Sequence, residues 1–145
     1  MAIDIKKFLG GWIEIARIPN DFEPNMKDVT AGYTINCDGT IDVINCGYLD
    51  GELMEIHGTA RQTEQDDLLK VSFFKGIESD YKILAVFDVG DTYKYALVGG
   101  SDMNHLWLLS RTFYIVQDVY DKFIRIAEDK GYDVDRIEIT ESLEV

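Results

Sequence analysis

The sequence predicts an all-β fold: an eight-stranded up-and-down antiparallel barrel with one C-terminal α-helix packed outside it and a short ninth strand. Three observations lead there. Between residues 30 and 112 apolar side chains recur mostly with period two, the signature of a strand with one buried face. Turn residues interrupt that pattern every eight to twelve positions or so, the spacing of sequential hairpins. After residue 112 the period becomes helical, once only. Sequential strands joined by short links favour a barrel, because closure leaves no unpaired edge. The length of 145 residues fits a single domain, 1–145.

The elements follow in order. A first strand covers 12–18 and stops at Pro19; the second (29–36) and third (40–47) flank Cys37-Asp38-Gly39. A two-residue Asp-Gly turn would set Ile35 opposite Asp42. A three-residue loop ending in a left-handed Gly39 sets Ile35 opposite Ile41 and Tyr33 opposite Val43, keeping both apolar rows on one face. Positive φ at Gly39 is therefore expected. The fourth strand (53–62) alternates Met54, Ile56, Gly58 and Ala60 with Glu55, His57, Thr59 and Arg61, and a fifth carries Leu69, Val71 and Phe73. The sixth, seventh and eighth cover 81–88, 93–98 and 106–110. Ile115, Val119, Phe123 and Ile126 then recur at helical spacing, with Gly131 as a C-cap and no good N-cap residue at the start. The run 135–140 alternates Ile137 and Ile139 with charges, giving the ninth strand.

Charge narrows the function. Asp and Glu number 27 against 14 Lys and Arg, a formal net charge of −13. Neither a phosphate backbone nor an anionic membrane surface attracts such a surface without a basic patch. No apolar run approaches the roughly 18 residues of a membrane-spanning helix. The first residues show no signal peptide. The expected compartment is the cytoplasm if the chain is complete as given, and the periplasm or outer membrane if a lipoprotein leader was removed. Cys37 and Cys46 lie about 20 Å apart along their hairpin, too far for a disulfide.

Three local motifs resemble those of the lipocalins. Gly10-Gly11-Trp12 is similar to the G-x-W signature that opens the lipocalin barrel. Asp91-Thr92-Tyr93 stands where that family carries a Thr-Asp-Tyr turn, in altered order. Leu106-Trp107-Leu108-Leu109-Ser110-Arg111-Thr112 resembles the third signature, a lone Arg at the end of strand eight. The likeness is greatest to bacterial lipocalins of the outer-membrane lipoprotein type, through stretches such as 12–17, 43–45, 69–74 and 95–99. It departs from them in having no lipid-modified N-terminal Cys, and in Phe113 and Val116 where Pro and a Ser helix cap are usual. A fatty-acid-binding-protein barrel would need two helices between its first two strands, where only 21–28 is available. The resemblance implies a binding protein whose calyx takes a small hydrophobic ligand of fatty-acid or lysophospholipid type. The alternatives are a lipocalin-fold enzyme acting on a lipid-like substrate, and a filled barrel that binds a partner through its outer face.

Alternation of strand direction brings Trp12 beside Arg111 at one end of the barrel, where strands one and eight must pair. Gly10, Trp12 and Arg111 are expected to form a structural floor, with guanidinium stacked on indole. Parity from these two residues assigns a calyx lining. Strand one points Glu14 and Ala16 inward, strand two Ala31, Tyr33 and Ile35, strand three Ile41 and Val43. Met54, Ile56, Gly58 and Ala60 follow on strand four, and Leu69, Val71 and Phe73 on strand five. Ala96 and Val98 face in from strand seven, and His105, Trp107 and Leu109 from strand eight; strand six is apolar on both faces. Arg17, Arg61 and Lys75 are expected outside. Glu14 in an apolar interior needs a partner. His57 and His105 fall on opposite faces and cannot share a metal or a triad, and Cys46 has outward parity. No catalytic residue, metal or cofactor is therefore expected, and the chain is expected as a monomer or weak homodimer.

Overall fold

The computed structural model describes residues 3–18, 27–74, 76–139 and 142–144. The link 21–28 is largely outside that set, and Lys75 and Thr140 are wholly so. Eight strands follow one another around a closed sheet: β1 (Gly10–Arg17), β2 (Lys27–Ile35), β3 (Ile41–Leu49), β4 (Glu52–Gln62), β5 (Leu68–Phe74), β6 (Ile77–Asp88), β7 (Tyr93–Gly99) and β8 (Leu106–Ser110). Each pairs antiparallel with the next, and β1 pairs with β8 to close the ring. At the β2–β3 turn Gly39 has φ 89°, Ile35 faces Ile41 and Tyr33 faces Val43. Asp42 is exposed, while Ile41 and Val43 are buried. Burial of two apolar rows thus selects the three-residue loop.

Before β1 stands α1 (Ile5–Phe8), which periodicity alone does not reveal because four residues make barely one turn. Asp4 caps it, accepting from the Lys6 amide at 3.1 Å, and the helix delivers Phe8 into the barrel, fully buried. After β8 come β9 (Tyr114–Val116), α2 (Gln117–Asp129), β10 (Glu138–Ile139) and β11 (Ser142–Glu144), with β11 parallel to β9. Ile115, assigned to the helix by spacing, belongs to β9. The helix begins at Gln117, and Val116 gives it no side-chain cap. Gly131 follows with φ 97°. The ninth strand is shorter than expected: a single 3-10 turn, Val134–Arg136, takes its first half. Only β10 pairs, with Ala16 and Arg17 of β1. It takes the β1 edge that β2 leaves after Ile13.

The core has two layers. Inside the barrel lie Phe8, Trp12, Tyr33, Ile41, Leu69 and Ile83 among others. Between barrel and helix lie Ile15, Ala16, Leu106 and Leu108 against Val119, Phe123 and Ala127. Val119, Phe123 and Ala127 recur every four residues, so a single face of α2 is buried. Burying a side chain such as Val or Phe there contributes about 1.5–3 kcal/mol.

A β-bulge in β1 corrects two sequence expectations. Glu14 faces Leu109 of β8, yet Ala16 faces Leu108, so one residue is extra. An extra residue reverses the alternation beyond it. Ala16, expected in the calyx, therefore packs in the outer layer. Arg17, expected outside, faces Trp107 on β8 and is 2% exposed.

Candidate functional site

The closed end is held by Arg111. Its guanidinium lies 3.7 Å above the Trp12 ring, and its nitrogens donate to the carbonyls of Tyr93 (2.9 Å), Gly11 (2.8 Å) and Lys7 (2.9 Å). A further bond reaches Thr92 Oγ1 at 2.9 Å, and that hydroxyl donates to the Lys7 carbonyl. The Trp12 indole N–H donates to the Phe8 carbonyl at 2.8 Å. One fork thus ties α1, β1 and β7 together. Burial pulls the Arg111 pKa down to about 10, which still leaves it charged at neutral pH. Gly10 has φ 99°, and a Cβ there would sit 3.3 Å from Arg111 Nη1, so backbone and space both call for glycine.

The other half of the interior is open. A cavity of about 370 Å³ has Val29, Ala31, Val43, Val71, Phe73, Trp107 and Leu109 as apolar walls. Polar groups interrupt it at Glu14, Asn45, Ser79, Tyr33 and Tyr81. Its mouth is built by Asp80 and by the β7–β8 link, through Gly100, Ser101, Asp102 and His105. Asp102 Oδ1 bonds His105 Nδ1 at 2.7 Å and accepts from the Asn104 amide at 2.8 Å. The His105 hydrogen bond holds the Asp102 carboxyl below its usual range. Arg136 donates to Asn104 at 2.8 Å, anchoring the link to the segment after α2. At Gly100 a Cβ would lie 2.6 Å from that of His105, so no larger residue fits beside the imidazole.

Two polar pairs face the interior. Arg17 Nη1 lies 3.4 Å from Glu14 Oε1, with both side chains almost wholly buried. The inward carboxylate that the sequence left in need of a partner thus meets the cation that the bulge turned in. The Tyr33 and Tyr81 hydroxyls are 2.8 Å apart. Burial pushes the Tyr81 phenol well above its ordinary pKa, so it stays protonated.

Of the residues assigned to the calyx, Glu14, Ala31, Tyr33, Val43, Val71, Phe73, His105, Trp107 and Leu109 lie on the cavity wall. Ile41, Ala60, Leu69, Ala96 and Val98 face inward and are buried without lining the cavity; Ile41, Ala60 and Leu69 lie toward the closed end, whereas Ala96 and Val98 face Leu109 and Trp107 at the level of the cavity wall. Three further positions correct the parity argument. Ile35 at the β2–β3 end is 41% exposed, and Met54 near the β3–β4 turn is 39% exposed, because alternation continues past the ends of the enclosed volume. Ile56, on the same overhanging part of β4, lines no wall; β4 pairs with β5 only over Thr59–Gln62. Gly58 is filled from the side: a Cβ there would lie 2.6 Å from the Phe73 ring. Sequence reasoning missed Val29, Thr30, Asn45, Ser79, Asp80, Tyr81 and, in the mouth link, Gly100, Ser101 and Asp102, although it placed His105 there. The β5 register would have found Tyr81, since it faces inward-pointing Leu69.

His105 has an orienting carboxylate, but the Ser101 hydroxyl accepts from the Asp80 amide. Cys46 pairs with Thr30 and Glu55 on the outer face. Burial, with Glu55 nearby, pushes its thiol up, which disfavours the nucleophilic thiolate. Among the described residues no group of three or more metal-ligating side chains converges, and no helix is long and apolar enough to cross a membrane.

A family model described as the lipocalin-like domain matches residues 3–142. The chain is a lipocalin. It is 38% identical over 139 residues to the outer membrane lipoprotein Blc of Vibrio cholerae, covering 92% of this chain and 80% of that one. It is 32% identical over 149 residues to temperature-induced lipocalin-1 of Arabidopsis thaliana, covering 95% and 78%. Among solved structures, the cockroach allergen Per a 4 superposes with a TM-score of 0.74 at 21% identity, over 99% of this lipocalin and 90% of the allergen.

Proposed function

We propose that this lipocalin binds a single-chain amphiphile, a fatty acid or lysophospholipid, in its calyx, and carries or stores it without chemical change. The observation that supports this reading is the cavity itself, with apolar walls inside a closed barrel and a polar mouth at one end. A volume of about 370 Å³ falls within the range of small-molecule sites, toward its lower end. An acyl chain supplies the driving force, at about 0.8 kcal/mol for each buried methylene. The head group stays at the mouth, beside Asp80, Asp102 and His105. Arg17 is compensated by Glu14, and the net charge of −13 repels anions over about 10 Å in salt. A zwitterionic head group is therefore favoured over a carboxylate.

Trp107 lines the cavity, whereas Trp12 is buried in the floor, so changes in tryptophan emission on titration report the calyx. The expected result at low salt is roughly micromolar binding, with lysophospholipid at least as tight as the fatty acid of equal chain length. Added salt should narrow any gap. A fatty acid that binds tenfold more tightly would show that its carboxylate reaches Arg17. No saturable change with either lipid, and no displacement of an apolar dye, would remove the reading.

A further inference from the structure

The hydrogen bond between Tyr33 and Tyr81 joins strands that are not neighbours. In a ring of eight, β2 and β6 have three strands between them on either side, so they stand on opposite walls. Their hydroxyls meet at 2.8 Å across the barrel lumen, and their rings lie 5.9 Å apart, edge to face. Phe8 packs against both, with ring centroids 5.4 Å from Tyr33 and 6.1 Å from Tyr81. The two tyrosine rings form a crossbar resting on Phe8, the plug that α1 inserts.

The wall of the cavity ends at that level. On β3 the last lining residue is Val43, which faces Tyr33; the next inward residue, Ile41, is fully buried and lines nothing. On β5 the last is Val71, and the next, Leu69, faces Tyr81 and is 2% exposed. Above the bar the barrel is hollow, and below it is packed. Resting on the reading of the cavity as an acyl-chain site, we infer that the Tyr33–Tyr81 crossbar is the length stop of the calyx, the element that sets how long a chain it accepts. A methylene added to a chain too short to reach the bar gains burial. One added beyond that point must stay outside the mouth or force the rings apart, which a close-packed core resists.

The test compares saturated lysophosphatidylcholines of increasing chain length, by displacement of an apolar dye. Affinity for the wild-type chain should rise about fourfold per methylene and then level off at one length. Tyr81→Ala opens space below the bar and should move the plateau to chains roughly two to four carbons longer. Tyr81→Leu, which fills more of that space, should move it less, and serves if the alanine variant does not fold. Tyr81→Phe keeps the ring and should leave the plateau at the same length. A plateau unmoved in a folded variant that still binds short chains would overturn the crossbar alone. A wild-type chain that binds none of the series would overturn the binding reading, and the length stop with it.

Discussion

Arg111 and Arg17 sit at opposite levels of β1 and do different work. Arg111 is a staple: four of its bonds go to backbone or hydroxyl oxygens of three segments, and its plane covers Trp12. Arg111→Ala should cost about 1–3 kcal/mol through lost stacking, packing and hydrogen bonds, read as a lower urea midpoint. Ligand preference should hardly change, since the cavity lies above. Loss of binding at unchanged stability would place Arg111 in the wrong half of the barrel. Arg17 is instead one partner of a buried ion pair. Removing one charge strands the other away from water, so Arg17→Leu alone should cost about 3–5 kcal/mol. The double variant Glu14→Leu with Arg17→Leu should recover much of that loss. A double variant no more stable than the single would mean that Glu14 does not depend on Arg17.

At the scale of elements, close approach rather than propensity decides the weak points. A Cβ on Gly58 of β4 would lie 2.6 Å from Phe73 Cδ1 and 2.8 Å from the Ser72 carbonyl oxygen of β5. The ring can turn, but the backbone oxygen cannot move cheaply. Gly58→Ala should therefore cost about 1–3 kcal/mol and disturb ligand binding through Phe73, which lines the cavity. Gly11→Ala, whose Cβ would meet nothing within 4 Å, is the control and should stay within about 0.5 kcal/mol in denaturant melts. The strands themselves were legible because period two and turn residues act locally, and the Gly39 loop because one register buries both rows. The bulge was not. Nothing in Glu14-Ile15-Ala16-Arg17 marks an extra residue, since Ile15 and Ala16 suit either face; only the pairing with Leu108 and Leu109 exposes it. That single slip accounts for both Ala16 and Arg17. The short elements α1 and β9 escaped for a related reason: they hold too few residues to show a period.

For the whole molecule, the sequence located the interior but not its depth. Parity distinguishes inside from outside, and says nothing of where a lumen is filled, here by Phe8 from α1 and by the Tyr33–Tyr81 pair that meets across it. Charge is the property of the whole that sequence alone states fully, and it leads to a last prediction. At −13 the native state repels itself, so added salt at pH 7 should raise the melting temperature by several degrees. Acidification has two opposed effects. As ordinary carboxylates protonate toward about pH 5, repulsion falls and stability rises. Asp38, Glu78, Asp80, Asp88 and Asp102 are held below their usual pKa by hydrogen bonds from Thr40, Arg61, Lys70, Lys7 and His105. A carboxyl depressed in the folded state stabilises above its unfolded pKa of about 4, and that contribution is lost as pH falls through the folded value. Melting temperature should therefore peak on the acid side of neutrality and drop below about pH 4, with the salt effect fading near the peak. A melting temperature at pH 7 that ignores salt would mean that pairs such as Lys7–Asp88 and Arg61–Glu78 already balance the surface locally, and the acid peak should then be missing as well.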